Sequence, residues 1–308
     1  MLLHTPVLLD EVLVGLAVKP TGFFLDATLG RGGHTQAILQ RLGPQGRLLA
    51  IDRDGDAIRA AAALLTDQRL TIAQGTFGEL EKLAAVTGFT DGFDGVLLDL
   101  GVSSPQLDDA TRGFSFMQDG PLDMRMTHES GTSAETWLAR AGEKEIARVL
   151  REFGEERFAK RIAAAIAKAR REAPITRTLQ LAGIVAAAVP AREPGKHPAT
   201  RTFQALRIQI NDELEQLRMG LAAALRVLRP DGRLCVISFH SLEDAIVKHF
   251  IQQHSHDDPV YAGLPHVPAH ARAKLKRIGR TVHPTESEVV RNPRARSAIM
   301  RVAARVAA

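Results

Sequence analysis

The stretch Asp26-Ala27-Thr28-Leu29-Gly30-Arg31-Gly32-Gly33-His34-Thr35 decides the fold. It joins a short apolar run, Phe23-Phe24-Leu25-Asp26, to a segment with helical spacing, Thr35 to Leu42. Glycines between a strand and a helix permit a sharp turn and let the backbone approach a ligand closely. Runs of the same kind follow at Leu48-Leu49-Ala50-Ile51-Asp52, Leu70-Thr71-Ile72-Ala73 and Val96-Leu97-Leu98-Asp99. Their ends fall about 25 residues apart, the length of a helix plus two loops in a βαβ unit. Asp54 to Leu65 supplies another helical pattern between them. Continuous apolar strands alternating with helices imply an α/β, Rossmann-like parallel sheet covered on both faces.

The rhythm then stops. The next strand is Leu234 to Phe239, after the turn Pro230-Asp231-Gly232. Between them lie a loop, Gly101 to Ser133, and a run of helices from Ala134 to Leu228. The expected organisation is a discontinuous α/β domain, 1–105 with 212–308, carrying an inserted, mostly helical domain, 106–211. A helix expected over Glu155 to Arg171 puts Phe158, Ile162, Ala165, Ile166 and Ala169 on one face. Arg157, Lys160, Arg161, Lys168 and Arg171 share another. Phe203, Leu206, Ile210, Leu214, Leu217, Leu221, Leu225 and Leu228 imply one long helix returning the chain to the sheet. The prolines of Pro190 to Pro198 mark a helix connection.

The 308 residues are 45% apolar and 24% charged, which excludes disordered and fibrous classes. A lone cysteine, Cys235, excludes an internal disulfide and a thiolate zinc site and suits a reducing, cytoplasmic setting. No apolar run approaches the ~18 residues of a membrane span, and Met1 to Val14 lacks the basic start of a signal peptide. Charge is unevenly spread. Residues 140–210 hold 15 Lys and Arg against 7 Asp and Glu, and residues 270–308 hold 10 against 2. The rest of the chain is acidic. Clustered cations of this kind suit a polyanionic partner, although a solvated helical surface would read the same way.

Asp52 closes the second strand run, where a carboxylate can accept hydrogen bonds from both ribose hydroxyls. A dinucleotide fingerprint would place a small residue three positions after Gly32, where this chain has Thr35. Asp26 stands just before the loop. An N–H donor beside a carboxylate suits a zwitterionic amino-acid tail, which favours S-adenosylmethionine over NAD. No phosphate-loop lysine motif is present. The loop Asp99-Leu100-Gly101-Val102-Ser103-Ser104-Pro105-Gln106 follows the fourth strand, at the sheet edge where ligands bind. Its Ser104-Pro105 partly matches the Ser/Asn/Asp-Pro-Pro-aromatic loop of amino-methylating enzymes. His240 is read as either an RNA contact or a loop-ordering residue. The pairs His254/His256 and His266/His270 are read as loop residues, with no metal expected. Trp137 is read as core.

The sequence resembles the ribosomal RNA small subunit methyltransferase H family. The resemblance is carried by His4 to Glu11, Gly30 to His34, Ala50 to Asp54, Leu97 to Asp109 and Arg112 to Phe116. It continues through Asp119 to Met126, Ser238 to Asp244 and Asn292 to Ser297. It implies a methyltransferase that uses S-adenosylmethionine to methylate N4 of a cytosine in 16S rRNA of the small ribosomal subunit. It further implies that Gly32, Gly33, His34, Asp52, Phe77, Asp99 and Gln106 contact the cofactor. Ser104 and the neighbouring loop carbonyls are the candidates for holding the target amine, and Ser104 reads equally as a simple turn residue. Two other readings stay open on the residues: a non-catalytic RNA-binding or ribosome-assembly factor, and an NAD-dependent oxidoreductase.

Overall fold

The computed structural model of the chain describes residues 6–128, 130–190, 197–261 and 266–307. His4 and Thr5, and most of the Pro190–Pro198 connection, lie outside them. The chain divides into two compact units, Met1–Gly101 with Leu214–Ala308, and Val102–Glu213.

The first unit begins with α1 (Leu9–Gly15), β1 (Phe23–Asp26), α2 (Gly33–Arg41) and β2 (Arg47–Asp52). It continues with α3 (Gly55–Leu64), β3 (Leu70–Gln74), α4 (Leu80–Val86) and β4 (Phe93–Asp99). The second unit holds α5 (Ser104–Asp108), α6 (Ala134–Arg140), α7 (Glu143–Gly154), α8 (Ala159–Glu172), α9 (Thr178–Ala188) and α10 (Thr200–Asn211). The chain returns through α11 (Glu213–Val227) to β5 (Leu228–Ser238), α12 (Ser241–His254), β6 (Leu275–Val282), α13 (Glu286–Arg291) and β7 (Ile299–Arg305).

Seven strands form one sheet in the order β3-β2-β1-β4-β5-β7-β6. The first five are parallel, as the apolar runs imply. β7 runs antiparallel to both β5 and β6, so the sheet is mixed rather than wholly parallel. Lys and Arg interrupt both of these strands, which hides them from a search for continuous apolar runs. Successive strand residues point to opposite faces. Leu25, Leu49, Leu98 and Val236 pack with Leu217 and Leu221 of α11 and Val247 and Ile251 of α12. Their neighbours Phe24, Leu48, Leu97 and Cys235 pack with Val12 and Leu13 of α1 and Ile38 of α2. This two-sided burial is why the strands read as unbroken apolar runs.

Two helical expectations are corrected. Glu155 and Asp212 both take left-handed backbone angles, with φ of 50° and 51°. Neither angle can continue a right-handed helix. The helix expected from Glu155 therefore starts at Ala159, which leaves Arg157 and Phe158 outside it. The single long helix is two, α10 and α11, broken at Asp212. Apolar spacing carried no sign of either break, since the pattern on both sides stays in register.

The second unit has its own core, with Ile146, Leu150, Ile162, Ile166, Leu181 and Leu206 buried. The Gly101–Ser133 stretch is part of that core rather than a surface loop. Phe114, Leu122, Met124 and Met126 are buried within it. Leu122 N–H donates to Thr176 O at 2.9 Å, and Gly120 N–H donates to Thr178 Oγ1 at 3.0 Å. Buried Asn211 accepts from Met126 N–H and donates to Met124 O, both at 2.8 Å. The chain has no regular ladder there, so side-chain amides and helix-start hydroxyls satisfy the buried backbone. No helix among the described residues is long and apolar enough to cross a membrane.

Candidate functional site

Three parallel neighbours, β1, β2 and β4, end on Asp26, Asp52 and Asp99. Parallel direction brings these ends to one edge of the sheet, where such folds bind ligands. Each carboxylate has a different task.

Asp26 is buried, and both of its oxygens accept hydrogen bonds. Its Oδ1 accepts from Thr28 N–H and Thr28 Oγ1, and its Oδ2 accepts from Thr35 Oγ1 at 2.7 Å. Thr28 Oγ1 in turn accepts from Asp99 N–H at 2.8 Å. Two threonine hydroxyls thus lock the β1 end to α2 and to β4. Sequence reasoning noted Thr35 only as a departure from a dinucleotide fingerprint. A hydroxyl nine residues after a buried strand-end acid was the signal available.

Asp52 accepts from Gly30 N–H at 2.8 Å and from Asp54 N–H at 2.9 Å. Burial pushes its carboxyl up to about 6, against the lowering effect of those two amides, with smaller raising contributions from Asp54 and Asp26. Each oxygen keeps a lone pair beyond the one an amide uses, so a diol can still be held.

The glycine loop turns where expected. Gly32 has φ +77°, which an L side chain rarely adopts, and it stands as the N-cap of α2 with no side-chain cap. A Cβ on Gly33 would sit 2.3 Å from the Pro6 ring, so only glycine lets the N-terminal segment close over the loop. His34 is buried in the first turn of α2. Its Nε2 lies 3.1 Å from Val7 O, and its Nδ1 lies 3.6 Å from Asp99 Oδ2.

Asp99 is raised well above the ordinary carboxylate range, first by burial and then by the neighbouring Asp26 and Glu243 charges. Its Oδ1 is buried with no hydrogen-bond partner among the described residues. Buried polar atoms are ordinarily paired, so this oxygen faces the place of a ligand donor. A cofactor with ribose hydroxyls, an amino-acid tail and a cationic sulfonium fits these residues.

Phe77 follows β3 and is half-buried against the Leu217–Leu221 cluster. Ser104 and Gln106 belong to the second unit. Ser104 opens α5, and Gln106 is buried with its Oε1 accepting from Ser103 N–H at 2.9 Å in a capping box. His240 caps α12: its ring accepts from Glu243 N–H while Glu243 accepts from Phe239 and His240 N–H. Of its two readings, the loop-ordering one is what the geometry displays. His254 and His256 lie 2.9 and 3.0 Å from the carbonyls of Phe250 and Gln252, so His254 ends α12 rather than sitting in a loop. Trp137 is partly buried against the second unit's core.

The strand order, the glycine turn after β1 and the acid closing β2 define a Rossmann-like methyltransferase of the S-adenosylmethionine-dependent kind. The chain matches the MraW methylase family over residues 1–306. It is 54% identical to a ribosomal RNA small subunit methyltransferase H from Alteromonas mediterranea, over 97% of this chain and 96% of that protein. Among solved structures it is similar to an rRNA methylase from Streptococcus thermophilus, at 10% identity and TM-score 0.44 with both chains fully covered. A SAM-dependent methyltransferase from Aquifex aeolicus is similar at 10% identity and TM-score 0.41, with 98% of this chain and 90% of that one covered. The chain belongs to the MraW methylase family.

Proposed function

We propose that the protein transfers a methyl group from S-adenosylmethionine to N4 of a cytosine in 16S rRNA of the small ribosomal subunit. The observation that carries this is the identity to the Alteromonas enzyme along nearly the whole chain, joined to a crevice whose carboxylates suit that cofactor. When bound, the cofactor supplies an electrophilic methyl on sulfur.

The residues divide the work. Asp52 holds the ribose hydroxyls, and Phe77 packs on adenine. The turn Gly32-Gly33-His34 opens α2 with no side-chain cap, and the positive end of that helix suits a carboxylate. Asp99 contributes through the oxygen that has no partner among the described residues, and the resemblance implies Gln106 as a further cofactor contact. Ser104 accepts a hydrogen bond from the exocyclic amine and so orients a weak nucleophile, whose lone pair is otherwise delocalised into the pyrimidine. The base must leave its stack to be reached, so the target is single-stranded or flipped. Residues 106–211 act as the RNA-recognition domain, with exposed Lys160, Arg161, Lys168 and Arg171 of α8 toward the strand. The single buried cysteine suits work in the cytoplasm.

The test is direct. Incubation with S-adenosylmethionine and unmethylated small subunits or 16S rRNA should yield N4-methylcytidine after digestion to nucleosides and mass spectrometry. Titration with S-adenosylmethionine, S-adenosylhomocysteine and NAD should show binding of the first two only. Binding of NAD, or RNA binding with no methylated product, would overturn the reading.

A further inference from the structure

None of the candidate cofactor residues falls in the cationic C-terminal segment, residues 270–308. Much of it forms β6 and β7, at the sheet edge beside α12. A cavity of about 330 Å³ opens there, lined by Lys248, His256, Arg277, Arg280 and Arg301, with no Asp or Glu in its lining. Arg301 is already committed. Its guanidinium grips both oxygens of Asp244 at 2.7 and 2.8 Å and donates to Thr281 Oγ1 at 3.1 Å. The side chains of Lys248, Arg277 and Arg280 are exposed and form no ion pair or hydrogen bond among the described residues. Three cations held around one cleft repel each other unless an anion joins them.

We propose that this cleft between α12 and the β6–β7 edge docks the sugar–phosphate backbone of the RNA that flanks the target base. The proposal rests on the RNA methyltransferase reading above. Three observations favour a nucleic-acid strand over a small anion. The cations are spread along a helix and a strand, so they suit successive phosphates rather than one. Half-buried Ile278 also lines the cleft and gives the sugars an apolar surface. Its position is right as well. Pairing sets Val282 of β6 level with Met300, Ile237 and then Asp99 across the sheet. Three strand spacings separate β6 from β4, or about 14 Å at ~4.8 Å each. A strand that delivers one base to the crevice reaches the cleft within a few nucleotides.

The variants K248Q, R277Q and R280Q, singly and together, test this. All three side chains are exposed, so unchanged thermal unfolding and unchanged S-adenosylmethionine affinity should accompany them. The triple variant should bind 16S rRNA more weakly, with the slope of log affinity against log salt lowered by about 0.7 for each lost single-strand contact. A wild-type slope in the triple variant, while wild-type enzyme methylates RNA, would overturn the cleft and leave the enzymatic reading intact. Wild-type enzyme that neither binds nor methylates RNA would overturn both. Normal binding to protein-free 16S rRNA with loss of binding to the assembled subunit would place a ribosomal protein in the cleft instead, and would also overturn the proposal.

Discussion

The amide of Gly30 donates a 2.8 Å hydrogen bond to Oδ2 of Asp52, tying the turn after β1 to the end of β2 across 22 residues of sequence. The carboxylate proposed to hold a ribose therefore also fixes the turn beside it. Asp54 N–H, at 2.9 Å from the other oxygen, holds the entry to α3 in the same way.

Replacing Asp52 with Ala should accordingly do two things. It strands the Gly30 and Asp54 amides, a cost of about 1–3 kcal/mol in a partly buried site. It also removes the ribose acceptor, so S-adenosylmethionine affinity should fall by about 5–150-fold. Calorimetric titration with a parallel melting curve measures both. Wild-type affinity in a folded variant would show that the ribose binds elsewhere.

The raised Asp52 carboxyl predicts a pH dependence. It protonates near 6 in the fold, against 3.8 for the unperturbed group. The folded protein thus carries more protons than the unfolded chain between those values, and stability from this group falls as pH rises through that window. Binding has the opposite slope. Ribose hydroxyls need the ionised acceptor, so affinity should drop by up to about tenfold per unit below pH 6. Asp52→Asn cannot titrate and should lose this portion of both profiles; superimposable wild-type and Asn curves would refute the assignment.

On α8, the exposed cations are Lys160, Arg161, Lys168 and Arg171, with Arg157 outside the helix. Changing Lys160, Arg161 and Lys168 to Gln should weaken RNA binding and lower its salt slope by about 0.7 per lost single-strand contact. Cofactor affinity should hold. An unaltered slope would remove this helix from the RNA footprint.

Cys235 is fully buried in β5, and burial pushes its thiol far above the ordinary range. A thiol in that state is no nucleophile. Methylation should therefore go directly to N4, with no covalent enzyme–RNA adduct of the kind ring-C5 chemistry requires. Cys235→Ala should keep its activity apart from lost stability. Recovery of 5-methylcytidine, or a folded, cofactor-binding Cys235→Ala that is inactive, would contradict direct transfer.

What could be read from the residues alone follows from local chemistry. Strands β1, β2 and β4 announce themselves because two-sided burial demands continuous apolar runs, and the glycine turn because few other residues adopt such backbone angles. Asp52 was legible for the same reason: a strand end facing a glycine loop is a fixed place in a βαβ unit. The antiparallel edge was not legible, since β6 mixes Leu275 and Ile278 with Lys276, Arg277 and Arg280. With cations at these positions, half-exposed β6 keeps no continuous apolar run.

Only the tertiary structure decided how side chains far apart in the chain meet. Thr28 and Thr35 occupy both oxygens of Asp26, while Asp99 keeps a buried oxygen with no partner among the described residues. From sequence the three strand-end carboxylates look alike, because desolvation and hydrogen-bond supply depend on neighbours brought together by folding. The helix breaks at Glu155 and Asp212 belong to the same class. Composition and period determine that a helix forms and which face it buries. Where the chain must turn is set by the packing of the elements on either side, and that is information no single window of sequence contains.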